Sequence, residues 1–231
     1  VELKEGTPVG RRVVLGMIGL GAGGIAVGAS LQTGVNRALA PVRGLGDVLP
    51  AAGGFRYYSV VGSVRERTAD EYRLAVSGMV GRTRAFTIPE LGALKQTQVT
   101  RDFQCVTGWR VPGVAWAGVA LPDLLDAVGA SPEATAVRFR SFDGVYSESL
   151  TMEQARRPDV LIATRMLGGP VTHDHGGPVR LFVAPMYGYK SLKWLGAIEV
   201  TDKVVSGYWE RRGYDVDAWV GRSNGRDDEP T

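Results

Sequence analysis

The chain has 231 residues, 44% hydrophobic and 22% charged, which describes an ordinary globular core and excludes a disordered or fibrous chain. Basic residues outnumber acidic ones only 27 to 24, and no Lys/Arg run exceeds a pair, so the charge pattern argues against nucleic acid as a partner. A single cysteine, Cys105, excludes an intramolecular disulfide framework and any four-cysteine zinc or iron–sulfur site.

In chain order, residues 1–45 read as a segment apart from the fold. The pair Arg11–Arg12 precedes an uncharged run from Val13 to Asn36, within which "VGAS" supplies small residues suited to cleavage. This is the layout of a twin-arginine export signal plus linker, with an uncleaved membrane anchor as the alternative. Such export moves folded proteins, which suits a chain that receives a buried cofactor first. Gly19, Gly21 and Gly24 also spell G-x-G-x-x-G, but no acidic residue follows until Asp47, so a dinucleotide site is rejected. The expected organisation is a leader over 1–45, one domain over 46–220 and a polar, frayed tail over 221–231.

Within the domain, "EYRLAVSG" (71–78) alternates Tyr72, Leu74 and Val76 and predicts a strand. Thr87 with Glu90 three residues on is a capping-box spacing and predicts a short helix. "VTRDFQC" (99–105) places Val99, Arg101, Phe103 and Cys105 on one strand face, with the cysteine where the chain enters a loop, "VTGWRVPG". Leu121, Leu124, Leu125 and Val128 recur at helical spacing, bounded by Pro122 and Gly129. Residues 136–142, 159–167, 178–185 and 194–202 read as further strands. Many strands, few short helices and irregular connections predict an α+β fold with mixed β-sheets.

Chemistry gathers in three places. Cys105 stands beside the Gly108–Trp109 loop. "THDHGGPVR" (172–180) holds both histidines, and "APMYGYKSLKW" (184–194) sets two lysines among aromatics, at the opposite end of one short strand. Cys105 with His173 or His175 could serve nucleophilic catalysis in a cysteine hydrolase. His173 and His175 also form an H-x-H pair, with Asp174 as a thin carboxylate support or with no metal role at all. Arg180, Gly188, Lys190 and Lys193 make the third cluster more cationic than thiol hydrolysis requires. A guanidinium fork, mobile ammonium groups and a glycine suit a phosphate. A soft thiolate beside a phosphate-gripping surface describes a phosphate-bearing metal cofactor.

The order "DFQCVTGW … HGGPVRL … YGYKSLKWL" resembles the oxidoreductase molybdopterin-binding domain of the sulfite oxidase superfamily, and its short, exported protein-methionine-sulfoxide reductase type most of all. The resemblance covers roughly 55–207. It implies molybdenum–molybdopterin as cofactor, with Cys105 as the thiolate ligand of the metal. It also implies that His175 and Arg180 bind the pterin and its phosphate, that Gly188, Tyr189 and Lys190 close over the cofactor, and that Lys193 lies near the pterin. Tyr58 and Ser141 match further contacts. The loop after the cysteine lacks the paired arginines of sulfite oxidases, leaving Arg110 alone, so an S-oxide or N-oxide reductase is expected before a sulfite-oxidising enzyme. Trp109, Trp116 and Tyr187 are candidates for a substrate funnel or for core packing. A membrane haem or quinol-linked partner is implied as electron source.

Overall fold

The computed structural model describes residues 55–230, so the expected leader lies outside them. Internal contacts divide the chain into a unit of residues 1–63 and a unit of residues 64–231, and every helix and strand below belongs to the second. The elements run β1 (Leu74–Gly78), β2 (Arg84–Phe86), α1 (Ile88–Ala93), β3 (Gln96–Gln104), β4 (Arg110–Ala120), α2 (Leu121–Ala127), β5 (Ala136–Ser141) and β6 (Ser147–Thr151). There follow α3 (Met152–Ala155), β7 (Val160–Met166), β8 (Gly169–Pro170), β9 (Arg180–Val183), β10 (Leu195–Thr201) and a 3-10 turn, Glu210–Arg212. Among the described residues no helix is long and apolar enough to cross a membrane.

Two sheets form, in the orders β2-β1-β10-β5-β6 and β3-β4-β7-β8, with β9 also paired to β7. The first is mixed: β1 runs parallel to β10 and antiparallel to β2, and β10 and β5 are antiparallel. The α+β architecture with mixed sheets and short helices is the one expected. Alternation explains the burial: Leu74 and Val76 on β1, Val137 and Phe139 on β5, and Leu195, Ile198 and Val200 on β10 enter one core. Helix α2 adds Leu121, Leu124 and Leu125, all with no exposed surface, each worth roughly 1.5–3 kcal/mol of apolar burial. Helix α1 starts as its spacing predicts: the Thr87 side chain accepts from Glu90 N while the Glu90 carboxylate accepts from Thr87 N.

Three local expectations need correction. The stretch after Cys105 is a loop for only a few residues. Cys105 N donates to Trp109 O at 2.9 Å and Gly108 N to Cys105 O at 3.0 Å, closing a tight hairpin, and the chain then enters the eleven-residue strand β4. The even alternation toward Cys105 is broken by a register shift between Arg101 and Phe103, so Phe103 and Gln104 are both buried. The tail is not frayed. Asp228 accepts from Tyr187 Oη at 2.8 Å and from Arg226 at 2.6 and 3.0 Å, and Arg110 donates to the Glu229 carbonyl at 2.9 Å. Polar composition hid these internal partners.

Candidate active site

Cys105 follows directly on β3, half-buried, its Sγ 3.2 Å from Thr107 Oγ1. The segment 187–190 leans on the same strand end: Gly188 N donates to Gln104 O at 2.8 Å. A Cβ at position 188 would lie 2.6 Å from the Phe103 ring, so only glycine permits this approach. Phe103 in turn stacks on Trp109, with centroids 5.7 Å apart. Trp116 is 1% exposed and stacks on Phe182 at 4.3 Å, while Tyr187 is buried against the tail, so core packing accounts for both.

The two clusters at opposite ends of β9 converge because the chain folds back. Arg180, 3% exposed, donates to His175 O at 2.6 Å and to Ser191 O at 2.8 Å. Trp194 N donates to Gly176 O at 2.8 Å, and Trp194 Nε1 to His173 O at 2.9 Å. Gly176 has φ of 94°, and a Cβ there would lie 2.5 Å from Lys193 Cβ. The turn 173–176 and Lys193 are therefore pressed together, with Lys193 Nζ 3.3 Å from the Asp174 carbonyl. The end of β5 joins them: Phe142 N donates to Trp194 O at 2.7 Å, beside Ser141, whose Oγ accepts from Asp143 N.

The result is a cationic cradle. His175, Arg180 and Lys193 share one neighbourhood, in which Arg180 is held by the carbonyls of His175 and Ser191 and Lys193 by that of Asp174. Burial, with the charges of Arg180 and Lys193 added, pushes His175 down to about 4. Burial and then Arg180 pull Lys193 down to about 7, and burial alone lowers Arg180 to about 9. Asp174, and for Lys193 also Asp143, offset these shifts only in part, so a site that buries Arg180 and Lys193 together gains by taking an anion.

Lys190 is placed differently from its neighbour three residues on. Its ammonium has no exposed surface and meets Glu148 at 3.2 Å, the Ser149 carbonyl at 3.0 Å and Glu210 in a short contact. Its cation is committed to the interior, and Lys193 is the lysine that stands with His175 and Arg180. Tyr189 donates its hydroxyl to Asp215 O at 2.8 Å and sets its ring edge-on to Tyr214 at 5.4 Å. Tyr58 belongs to the unit ending at Ser63 and rests on resemblance alone.

Nothing in the sequence marks Tyr214, yet burial, with the Cys105 charge added, raises its pKa, so the fold brings it near the thiol across 109 residues of chain. Trp209 packs on its ring at 5.2 Å. Arg110 is less available than the sequence suggests: it pairs with Asp102 at 2.6 Å while holding the tail carbonyls. Among the described residues no cluster of three or more His, Cys, Asp or Glu could bind a metal. A thiol beside an anion cradle fits a phosphate-bearing metal cofactor.

Comparison with known proteins agrees. A candidate protein-methionine-sulfoxide reductase subunit of Azospira oryzae is 38% identical over 170 residues, 73% of this chain and 63% of that protein. Sulfite oxidase of Arabidopsis thaliana is 30% identical over 62% of this chain and 45% of its own length. The solved structure of the sulfane dehydrogenase SoxCD from Paracoccus pantotrophus superposes with a TM-score of 0.55 at 25% identity, covering 61% of this chain and 41% of that one. The chain thus spans about two thirds or less of these relatives. Residues 61–209 match the oxidoreductase molybdopterin binding domain, and the chain belongs to that family of oxidoreductase enzymes.

Proposed function

We propose that this chain is the catalytic part of an exported molybdenum–molybdopterin oxidoreductase that reduces an S-oxide or N-oxide by two-electron oxygen-atom transfer. The observation that carries the reading is the buried cradle of His175, Arg180 and Lys193, whose lowered pKa values the nearby carboxylates offset only in part, joined through β9 and the 187–190 segment to the Cys105 turn. Bound molybdenum–molybdopterin supplies the oxygen-atom and electron chemistry.

The chain's own residues supply ligation, grip and shape. Cys105 offers a soft thiolate on a turn fixed by two backbone hydrogen bonds. His175, Arg180 and Lys193 hold the phosphate, Ser141 adds a contact, and Gly188, Tyr189 and Lys190 wall the site by their backbone. Tyr214 presents a hydroxyl, kept protonated by burial, that can donate to a substrate oxygen beside the thiolate. Arg110 is neutralised by Asp102, which favours an uncharged S-oxide over the sulfite anion. With His175 at about 4 and ringed by cations, it is a poor base for a thiol, which weighs against the hydrolase reading. Electrons are proposed to come from a membrane haem or quinol-linked partner.

Elemental analysis of protein purified after native export tests this. We expect about one molybdenum per chain, retained with loss of activity in Cys105→Ser and lost in Arg180→Met and Lys193→Ala. Folded wild type without molybdenum would overturn the assignment. With the metal present, turnover of a methionine-sulfoxide peptide, an amine N-oxide and sulfite decides the substrate class, and sulfite turnover alone would refute the reductase reading.

A further inference from the structure

The outer face of the first sheet carries a second cationic site built from other residues. Arg138 and Arg140 sit two apart on β5 and so project to one face, with Ser149 and Ser147 of β6 opposite them and Glu199 of β10 opposite Arg138. A pocket of about 260 Å³ opens there, lined by Arg138, Arg140, Arg211, Tyr146, Ser147 and the turn at Gly144.

Charge within it does not balance. Glu199 pairs with Arg140. Asp143, on the neighbouring turn, accepts from Val145 N and Tyr146 N, both at 2.8 Å, and so faces its own loop. Glu148 of β6 is committed to Lys190 inside the protein. Arg211 gives one N–H to Ser206 O. Arg138 is half-buried, and its guanidinium has no hydrogen bond, ion pair or ring contact with any described residue. Three guanidiniums thus face one carboxylate. A guanidinium at a half-buried position with no carboxylate of its own leaves its planar fork open to two oxygens of a tetrahedral anion.

We propose that this pocket binds a dianionic tetrahedral oxyanion, either the free inorganic ion or the head of a small phosphate monoester. The Arg138 fork takes two of its oxygens, while Arg211 and the Ser147 hydroxyl take the others. The role belongs to none of the residues in the cradle, although Ser141 borders both sites.

The test uses holoenzyme, in which the cradle is filled. Melting temperature is followed against sulfate, inorganic phosphate and glycerol phosphate, with sodium chloride at matched ionic strength as reference. At ten times the dissociation constant, one-site binding raises the melting temperature by about 3–6 °C for a domain of this size. In Arg138→Gln the affinity falls at least tenfold, with molybdenum content unchanged. Arg211→Gln, at an exposed position, weakens binding less and serves should Arg138→Gln fail to fold. Preference for glycerol phosphate over both inorganic ions assigns the monoester as the source. A response equal to chloride, or equal in wild type and both variants, overturns the site. Loss of molybdenum in Arg138→Gln would also overturn it, by merging the pocket with the cofactor site.

Discussion

Replacing the buried lysine and one of its two carboxyl partners, one at a time, should give very unequal penalties. Lys190, Glu148 and Glu210 are all at most 1% exposed as side chains, so two carboxyl groups share one ammonium. Both Glu210 oxygens are used, one by Lys190 Nζ and the other by Gly207 N–H at 2.7 Å, as an ionised carboxylate requires. Glu148 Oε1 accepts nothing, and burial, with the Glu210 charge added and only partly offset by Lys190, raises Glu148 to about 8. Tyr146 and Tyr189, the other titratable groups facing it, are themselves raised by burial and stay neutral. Glu148 is thus a neutral acid at pH 7. Glu148→Gln keeps that state and should cost under about 1 kcal/mol, whereas Lys190→Met strands a buried charge and should cost about 3–5 kcal/mol, roughly 6–20 °C in melting temperature. The pH signature follows from the sign. Glu148 is protonated in the folded chain and ionised in the unfolded one between about 4.5 and 8, so stability falls as pH rises through that window. The ceiling is about 5 kcal/mol, and Glu148→Gln should flatten the slope. Urea melts of the three proteins at pH 5, 6.5 and 8 check this. Equal destabilisation by both variants, or an unchanged slope in Glu148→Gln, would refute the protonated-acid assignment.

Tyr214→Phe should lower kcat about 10²-fold with molybdenum content and melting temperature unchanged, since it removes only a hydroxyl near enough to the thiol to feel its charge; steady-state kinetics with metal analysis check it. Gly176→Ala combines a left-handed φ with a Cβ placed 2.5 Å from Lys193, so about 1–2 kcal/mol of strain should come with a marked fall in molybdenum occupancy. In the cofactor-free protein Lys193 titrates near 7, so anion binding at pH 8 should take up a proton, seen as a dependence of calorimetric heat on buffer ionisation enthalpy; Lys193→Ala should abolish it.

Legibility followed locality. The capping box at Thr87 and the leucine spacing of α2 are decided within a few residues, and both helices stand where the spacing puts them. Strand β4 escaped because Pro112, Gly113 and Gly118 read as turn signals, whereas Pro112 lies near a strand end, where a missing N–H is tolerated, and Gly113 N is held by Asp102. Strand β6, "SESLT", reads as polar yet is buried on both faces, because the segment 203–212 covers it: Val205 O accepts from Ser149 Oγ and Tyr208 N donates to Ser147 O. Tyr214 and the tail could not be found for the same reason. Their partners lie between about 40 and 120 residues away, and periodicity carries no information at that range.

The two lysines of "KSLK" show what the fold adds to a motif. As letters, Lys190 and Lys193 are equivalent cations three residues apart among the same aromatics. In the fold one meets the Glu210 carboxylate and the Glu148 carboxyl with no exposed surface, and its charge is answered inside the protein. The other meets a carbonyl, an indole face 4.1 Å away and the Arg180 cation, which Asp174 and Asp143 offset only in part. A buried cation already matched by carboxylates can only hold the structure together. One that is buried beside another cation stays unfavourable until an anion arrives, and its pKa is lowered by that burial first and by Arg180 second. By this criterion Lys193, Arg180 and His175 form the functional set, and Lys190 is the strut that keeps the segment carrying Gly188 and Tyr189 in place beside Cys105.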